Sequence, residues 1–133
     1  MTLKINIIAL NFLGSDAMRE KVFAFAKARY DTNPEYLWES SPDAAVLRHR
    51  RNRKWYAIVM LVRKSSLGLE GEGEKWVVNV KAAAEDIEKI PYSPGFLPGY
   101  HMNKKYWMTI LLDGTVTEKI ICDYIAKSYE LTK

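Results

Sequence analysis

The stretch from Lys54 to Val62, KWYAIVMLV, limits the fold more than any other part of the chain. It is short, apolar and rich in β-branched and aromatic residues, which reads as a buried strand. Ala45-Val46-Leu47 begins a short strand before it, and Trp76-Val-Val-Asn-Val80 resumes one after it. Trp107-Met-Thr-Ile-Leu-Leu112 adds another, closed by Asp113-Gly114. Helical periods lie mainly outside this block. Ser15-Asp16 offers an N-cap, and Met18, Val22, Phe25, Ala26 and Arg29 then share one helical face up to about Tyr30. A short helix spans Ala82 to Ile90 and stops at Pro91. The last helix begins near Thr117, where Val116 can staple to Ile121, and it buries Ile121, Tyr124 and Ile125, with Leu131 near its end. Strands that are grouped, rather than alternating with helices, predict an α+β fold. The expected form is a two-layer sandwich with an antiparallel sheet and helices packed on one face.

The 133 residues amount to one domain, and a hydrophobic content of 48% is ample for one core. No repeat or linker divides residues 18–133. The preceding 17 residues, MTLKINIIALNFLGSDA, only faintly imitate a signal peptide, because Lys4, Asn6 and Asn11 interrupt the apolar part. An edge strand is expected there, with a leader ahead of Met18 as the alternative. Cys122 is the only cysteine, so no intrachain disulfide forms and a reducing cytosol suits the chain. No apolar run reaches the length of a membrane span.

Several chemistries are poorly provided for. His49, His101 and Cys122 are too few and too scattered for a transition-metal site, and no cofactor motif is present. Cys122 sits beside Ile121 and Ile125 on a helix face, where a thiol is an inert core group. The Ser65–Lys75 segment has spaced glycines, but Glu70, Glu72 and Glu74 give it the wrong charge to cradle phosphate. It reads as a solvated acidic loop.

The sharper signal is Arg48, Arg50, Arg51, Arg53 and Lys54, five cations at a predicted hairpin tip followed by Trp55 and Tyr56. Arginine forks suit phosphate oxygens. If all five met duplex DNA, the log–log dependence of affinity on salt would have a slope of about −4 to −5. The net charge of +4 permits such a partner without requiring one.

Between Pro94 and Trp107 the chain reads PGFLPGYHMNKKYW, which has neither helical nor strand period. Pro94-Gly95 and Pro98-Gly99 set two bends that present Tyr100, His101 and Asn103 from a rigid platform. Two readings stay open. In one, His101 and Asn103 are buried partners for loop backbone while Tyr100 and Trp107 fill the core. In the other, His101, Asn103, Lys104 and Lys105 hold an anion at the surface. A catalytic His101 lacks a visible nucleophile or carboxylate partner.

The segment Pro98-Gly-Tyr-His-Met-Asn-Lys-Lys-Tyr-Trp107, with Leu112-Asp-Gly114 and Ser128-Tyr-Glu-Leu131, resembles the MmcQ/YjbR family. Tyr36-Leu-Trp38, Arg53-Lys-Trp-Tyr56 and Asn79-Val-Lys81 also fit its pattern. The likeness runs from about Met18 to Lys133. It departs at Ala82-Ala83-Ala84, where the family often has a Cys-Asp-Pro-like sequence. What the resemblance implies is a CyaY-like sandwich with two β-hairpin wings, proposed as a DNA-binding arrangement. The expectation is therefore a non-catalytic, cytoplasmic protein that contacts double-stranded DNA through Arg48, Arg50, Arg51, Arg53 and Lys54, helped by Lys104 and Lys105. The alternative is a small-ligand or protein-binding module centred on Tyr100, His101 and Asn103.

Overall fold

The computed structural model describes the backbone of residues 2–133 and the side chains of residues 16–133. Helix α1 (Thr2–Tyr30) leads into strands β1 (Ala45–Arg48), β2 (Trp55–Arg63) and β3 (Glu74–Lys81). Short helix α2 (Ala84–Glu88), strands β4 (Phe96–Pro98) and β5 (Trp107–Leu111), and helix α3 (Glu118–Leu131) complete the chain. The five strands form one sheet in the order β1-β2-β3-β5-β4, every pairing antiparallel. This is the expected α+β sandwich. Strand β4 escapes a sequence reading, since three residues with a proline carry no period.

The N-terminal expectation needs correcting. α1 runs through residues 2–17 where an edge strand was expected, and the side chains of residues 1–15 lie outside the described residues. Extending a helix already anchored at residues 18–30 costs only propagation, not a new nucleus. Asp16, read as a cap, instead accepts a 2.7 Å hydrogen bond from Trp76 Nε1 on β3.

The main core lies between the sheet and α1 and α3. Val22 and Ala26 of α1 and Ile121 and Ile125 of α3 meet Leu47, Val59, Val78, Val80, Met108 and Ile110, all with essentially no exposure. Thr117 caps α3, its hydroxyl accepting from Ile120 N–H, and Val116 joins Ile121 in the core as the staple predicts. Leu131 ends α3 half-exposed.

One irregularity in β2 has wide consequences. Leu47 pairs with Ala57, but Arg48 pairs with Trp55, so Tyr56 is an extra residue in a β-bulge. Tyr56 and Ala57 consequently both join the helix-side core. From Ile58 onward the alternation resumes, and Ile58, Met60 and Val62 point to the sheet's other face. The bulge is held from above by fully buried Ser128, whose hydroxyl donates to Tyr56 C=O at 2.6 Å and accepts from Lys81 N–H at 2.9 Å. Tyr129 beside it stacks on Tyr30 at 3.7 Å and on His49 at 3.9 Å. The Ser128-Tyr129 pair therefore joins both helices to the bulged strand.

Candidate functional site

The sheet face away from the helices has no layer of its own. A smaller apolar cluster of Val62, Val77 and Leu111 is covered partly by Leu67 and Leu69 from the β2–β3 connection and by Tyr100. Beside that cover an open cleft of about 500 Å³ remains, within the usual size of small-molecule sites. Its floor is Ile58, Met60 and Val62 of β2, and its walls are Trp38, Trp55, Tyr100 and His101.

Each wall has a local cause. The bulge at Tyr56 reverses the side-chain alternation and turns Trp55 to this face. Trp38 follows a single bridge between Glu35 and Val46, which lays residues 35–38 along the outer edge of β1. The two indoles meet edge to face, with centroids 5.7 Å apart and planes at 89°. Tyr100 is fixed from beneath by a buried polar pair. Asn79 Nδ2 donates to Tyr100 C=O at 2.9 Å, Thr109 Oγ1 accepts Tyr100 N–H at 2.8 Å, and the Thr109 hydroxyl donates to Asn79 Oδ1 at 2.5 Å. Neither Asn79 nor Thr109 has any exposure, so their polar atoms are fully committed to holding this loop.

The two turns behave as expected. Gly95 has φ +88, and a Cβ on Gly99 would lie 2.8 Å from the Trp107 carbonyl oxygen, so only glycine lets these strands approach. His101, however, is not a buried partner. It is exposed, adopts the left-handed conformation at φ 57, and stacks its ring on Tyr100 at 3.9 Å and 17°. Tyr100 C=O and N–H are already satisfied by Asn79 and Thr109, so the imidazole is not what holds them. Asn103 does serve backbone, its Oδ1 accepting from Lys105 N–H at 3.0 Å, but from an exposed position. Tyr100 and Trp107 are half-buried, and Pro98 ends β4.

The cations divide into tethered and free. Glu35 receives Arg53 at 2.8 Å and lies 3.5 Å from Arg48 Nε, while Arg50 pairs with Asp31. Asp31, itself at φ 53 after α1, has its carboxyl held below the usual range by the Lys27 hydrogen bond and the charges of Lys27 and Arg50. The hairpin tip is docked as well as neutralised. Buried His49 sets Nε2 2.8 Å from Thr132 Oγ1, and Asn52 donates to Thr132 C=O at the end of α3. Lys104 folds back onto Gly99 C=O at 3.1 Å. Among the described residues, Arg51, Lys54 and Lys105 of the predicted set have neither a carboxylate nor a backbone carbonyl on their side-chain cation, and Lys104 has only the carbonyl. Arg51 and Lys54 belong to the β1–β2 turn and Lys105 to the β4–β5 loop. These connections lie at one end of the sheet, because Ala57, Val80 and Met108 are register partners. The acidic β2–β3 connection lies at the other end of nine-residue β2, about 30 Å away. The two hairpin ends therefore point in opposite directions.

Cys122 is half-buried, and burial pushes its thiol up, away from the reactive range. Among the described residues no three His, Cys, Asp or Glu side chains gather as a metal site would need, and no helix is long and apolar enough to cross a membrane.

A family model described as YjbR matches residues 27–131. The chain belongs to the YjbR family. A Bacillus subtilis relative, the uncharacterised protein YyaQ, is 42% identical over 115 residues, covering 86% of this chain and 98% of its own. A crystal structure of a Pseudomonas syringae protein is 38% identical and superposes with a TM-score of 0.83, covering 86% of this chain and 98% of its own. A Deinococcus radiodurans protein, DR2400, shares the fold at a TM-score of 0.62 and 20% identity, over 83% of this chain and 74% of its own. The residues singled out in the sequence divide by role in this chain. Ser128 and Tyr129 hold the bulge and helices, whereas Trp38, Trp55, Tyr100 and His101 surround the cleft.

Proposed function

We propose that this YjbR protein is a non-catalytic binding protein whose ligand site is the aromatic cleft on the bare sheet face. The observation that carries the reading is the convergence of Trp38, Trp55 and the Tyr100–His101 stack over an apolar floor. Rigid aromatic walls over apolar side chains suit a small flat molecule, which gains contact area at little cost in side-chain entropy. The site is also stiffly built. A left-handed backbone at a non-glycine residue costs on the order of 1 kcal/mol and persists only where the surroundings enforce it. Here the Asn79–Thr109 pair does so.

The nucleic-acid reading draws on fewer free charges than the bare sequence suggests. Arg51, Lys54 and Lys105 share one end of the sheet and favour a weak, non-specific contact at most. Their three charges predict a salt slope of about −2 to −3.

The cleft is tested by titrating the isotope-labelled chain with neutral, flat heteroaromatic fragments and following the four indole N–H resonances. Fragments are expected to move Trp38 and Trp55 and to leave Trp76 and Trp107 in place. Binding unaltered by Trp38→Ala, or no shift with any fragment, would overturn the proposal.

A further inference from the structure

We infer that the occupant of this cleft is an organic cation, an apolar body carrying an ammonium or amidinium-type group. The inference rests on the cleft being a ligand site and adds the sign of the ligand's charge. The chain has 20 lysines and arginines against 16 acids, yet no lysine or arginine lines the cleft. Its formally charged lining residues are Asp43 and Glu74. Both are exposed, and neither makes an ion pair among the described residues. Elsewhere Asp31, Glu35, Asp86 and Asp113 hold a lysine or arginine, and the other exposed acids without an ion pair, such as Glu39, Glu70, Glu72, Glu85 and Glu88, do not line this cleft.

The aromatic walls point the same way. The electron-rich faces of indole and phenol rings attract cations, and a perpendicular pair forms a corner around one. Elsewhere in the molecule several such faces are already occupied. Arg19 lies over Phe23 at 4.9 Å and over Trp76 at 4.5 Å, Lys127 over Tyr124 at 4.9 Å, and Lys105 beside Tyr106 at 5.6 Å. Trp38 and Trp55 hold no such partner, although they set the one perpendicular indole pair among the described residues. An anion entering here would meet two carboxylates and no balancing cation. A neutral ligand would use the rings and leave the carboxylates idle. A ligand cation satisfies both, and the apolar floor strengthens its attraction to the rings by excluding water.

Benzamidine, benzamide and benzoate are nearly isosteric flat molecules that are cationic, neutral and anionic at neutral pH. Each is titrated into the chain at low salt while the Trp38 and Trp55 indole N–H resonances are followed. Benzamidine is expected to bind about tenfold more tightly than benzamide, with benzoate weakest. The double variant Asp43→Asn, Glu74→Gln should shrink that preference, the indole faces retaining the remainder. Both positions are exposed, and an unchanged melting temperature verifies the fold. Equal affinity for benzamidine and benzamide would overturn the charge assignment and leave the cleft standing. Tightest binding by benzoate would overturn it as well. If none of the three probes moves either indole, the inference falls together with the cleft.

Discussion

Ser128 illustrates how one hydroxyl sets up a site from the opposite face of the sheet. It spans Tyr56 C=O and Lys81 N–H, both in the dry layer beneath α3. Without it the carbonyl at the bulge and the end of β3 lose their partners, and each orphaned buried group costs about 1–3 kcal/mol. Ser128→Ala is therefore expected to destabilise the chain by about 2 kcal/mol in denaturant unfolding, with an unchanged m-value. The Trp38 and Trp55 indole resonances should also move, since the bulge aims Trp55. A loss of stability with both resonances fixed would show that Ser128 supports packing alone. Residues of this kind are only partly legible in a sequence. The Ser128-Tyr129 pair stands out as a motif, but nothing in the chain says that its partners are the carbonyl of a bulge and the ring of His49. His101 misleads for the converse reason. A polar ring just after two proline turns looks like a buried partner, but Asn79 and Thr109 are what hold the Tyr100 backbone beside it.

At the level of elements, the hairpin between β1 and β2 shows why a run of cations is a poor guide to a surface. The sequence places Arg48 to Lys54 at a tip correctly, but it cannot reveal that Asp31 and Glu35, at the end of α1 and just past it, close back onto that tip. The apolar run of β2 likewise predicts a strand while hiding its bulge, because every residue from Trp55 to Val62 is apolar and no polar position marks the lost alternation. The cap, staple and core face of helix α3 are readable, since they follow local rules. The tethering makes a prediction of its own. Glu35→Gln releases Arg48 and Arg53, raising the free cations at this end from three to five. If this end meets duplex DNA, the salt slope should steepen from about −2 to −3 toward −4 to −5, and low-salt affinity should rise. Titrations of labelled duplex with both proteins check this. Identical, salt-insensitive behaviour would remove DNA from consideration.

Across the whole molecule, the ring cluster that joins the hairpin tip to both helices also sets the pH range over which the fold survives. Burial lowers the pKa of His49, which sits between Tyr56 and Tyr129 with Thr132 at its Nε2, so the folded state keeps it neutral. The unfolded chain takes up that proton first as pH falls, and it then binds more protons than the folded one. Stability is accordingly complete above the unfolded value of about 6.5 and declines as pH drops through the depressed folded value. The alkaline limit has the opposite sign. Burial pushes Tyr56 up to about 12 despite its hydroxyl bond to Thr32, and burial also raises Tyr30. The unfolded chain loses these protons from about pH 10, so stability is present below that point and is lost as pH climbs toward 12. Tyr56 alone contributes about 3 kcal/mol across its two-unit displacement. Melting temperature against pH should thus trace a plateau between about 7 and 9.5 with a shoulder on each side. His49→Phe should flatten the shoulder just below pH 6.5, leaving only the fall at lower pH where Asp31 and Asp113, both held below the usual carboxylate range, take up protons. Tyr56→Phe should lower the plateau and soften the alkaline edge. An acid shoulder that survives His49→Phe unchanged would assign it to another group. In that case the ring cluster would not be what ties hairpin and helices into one cooperative unit.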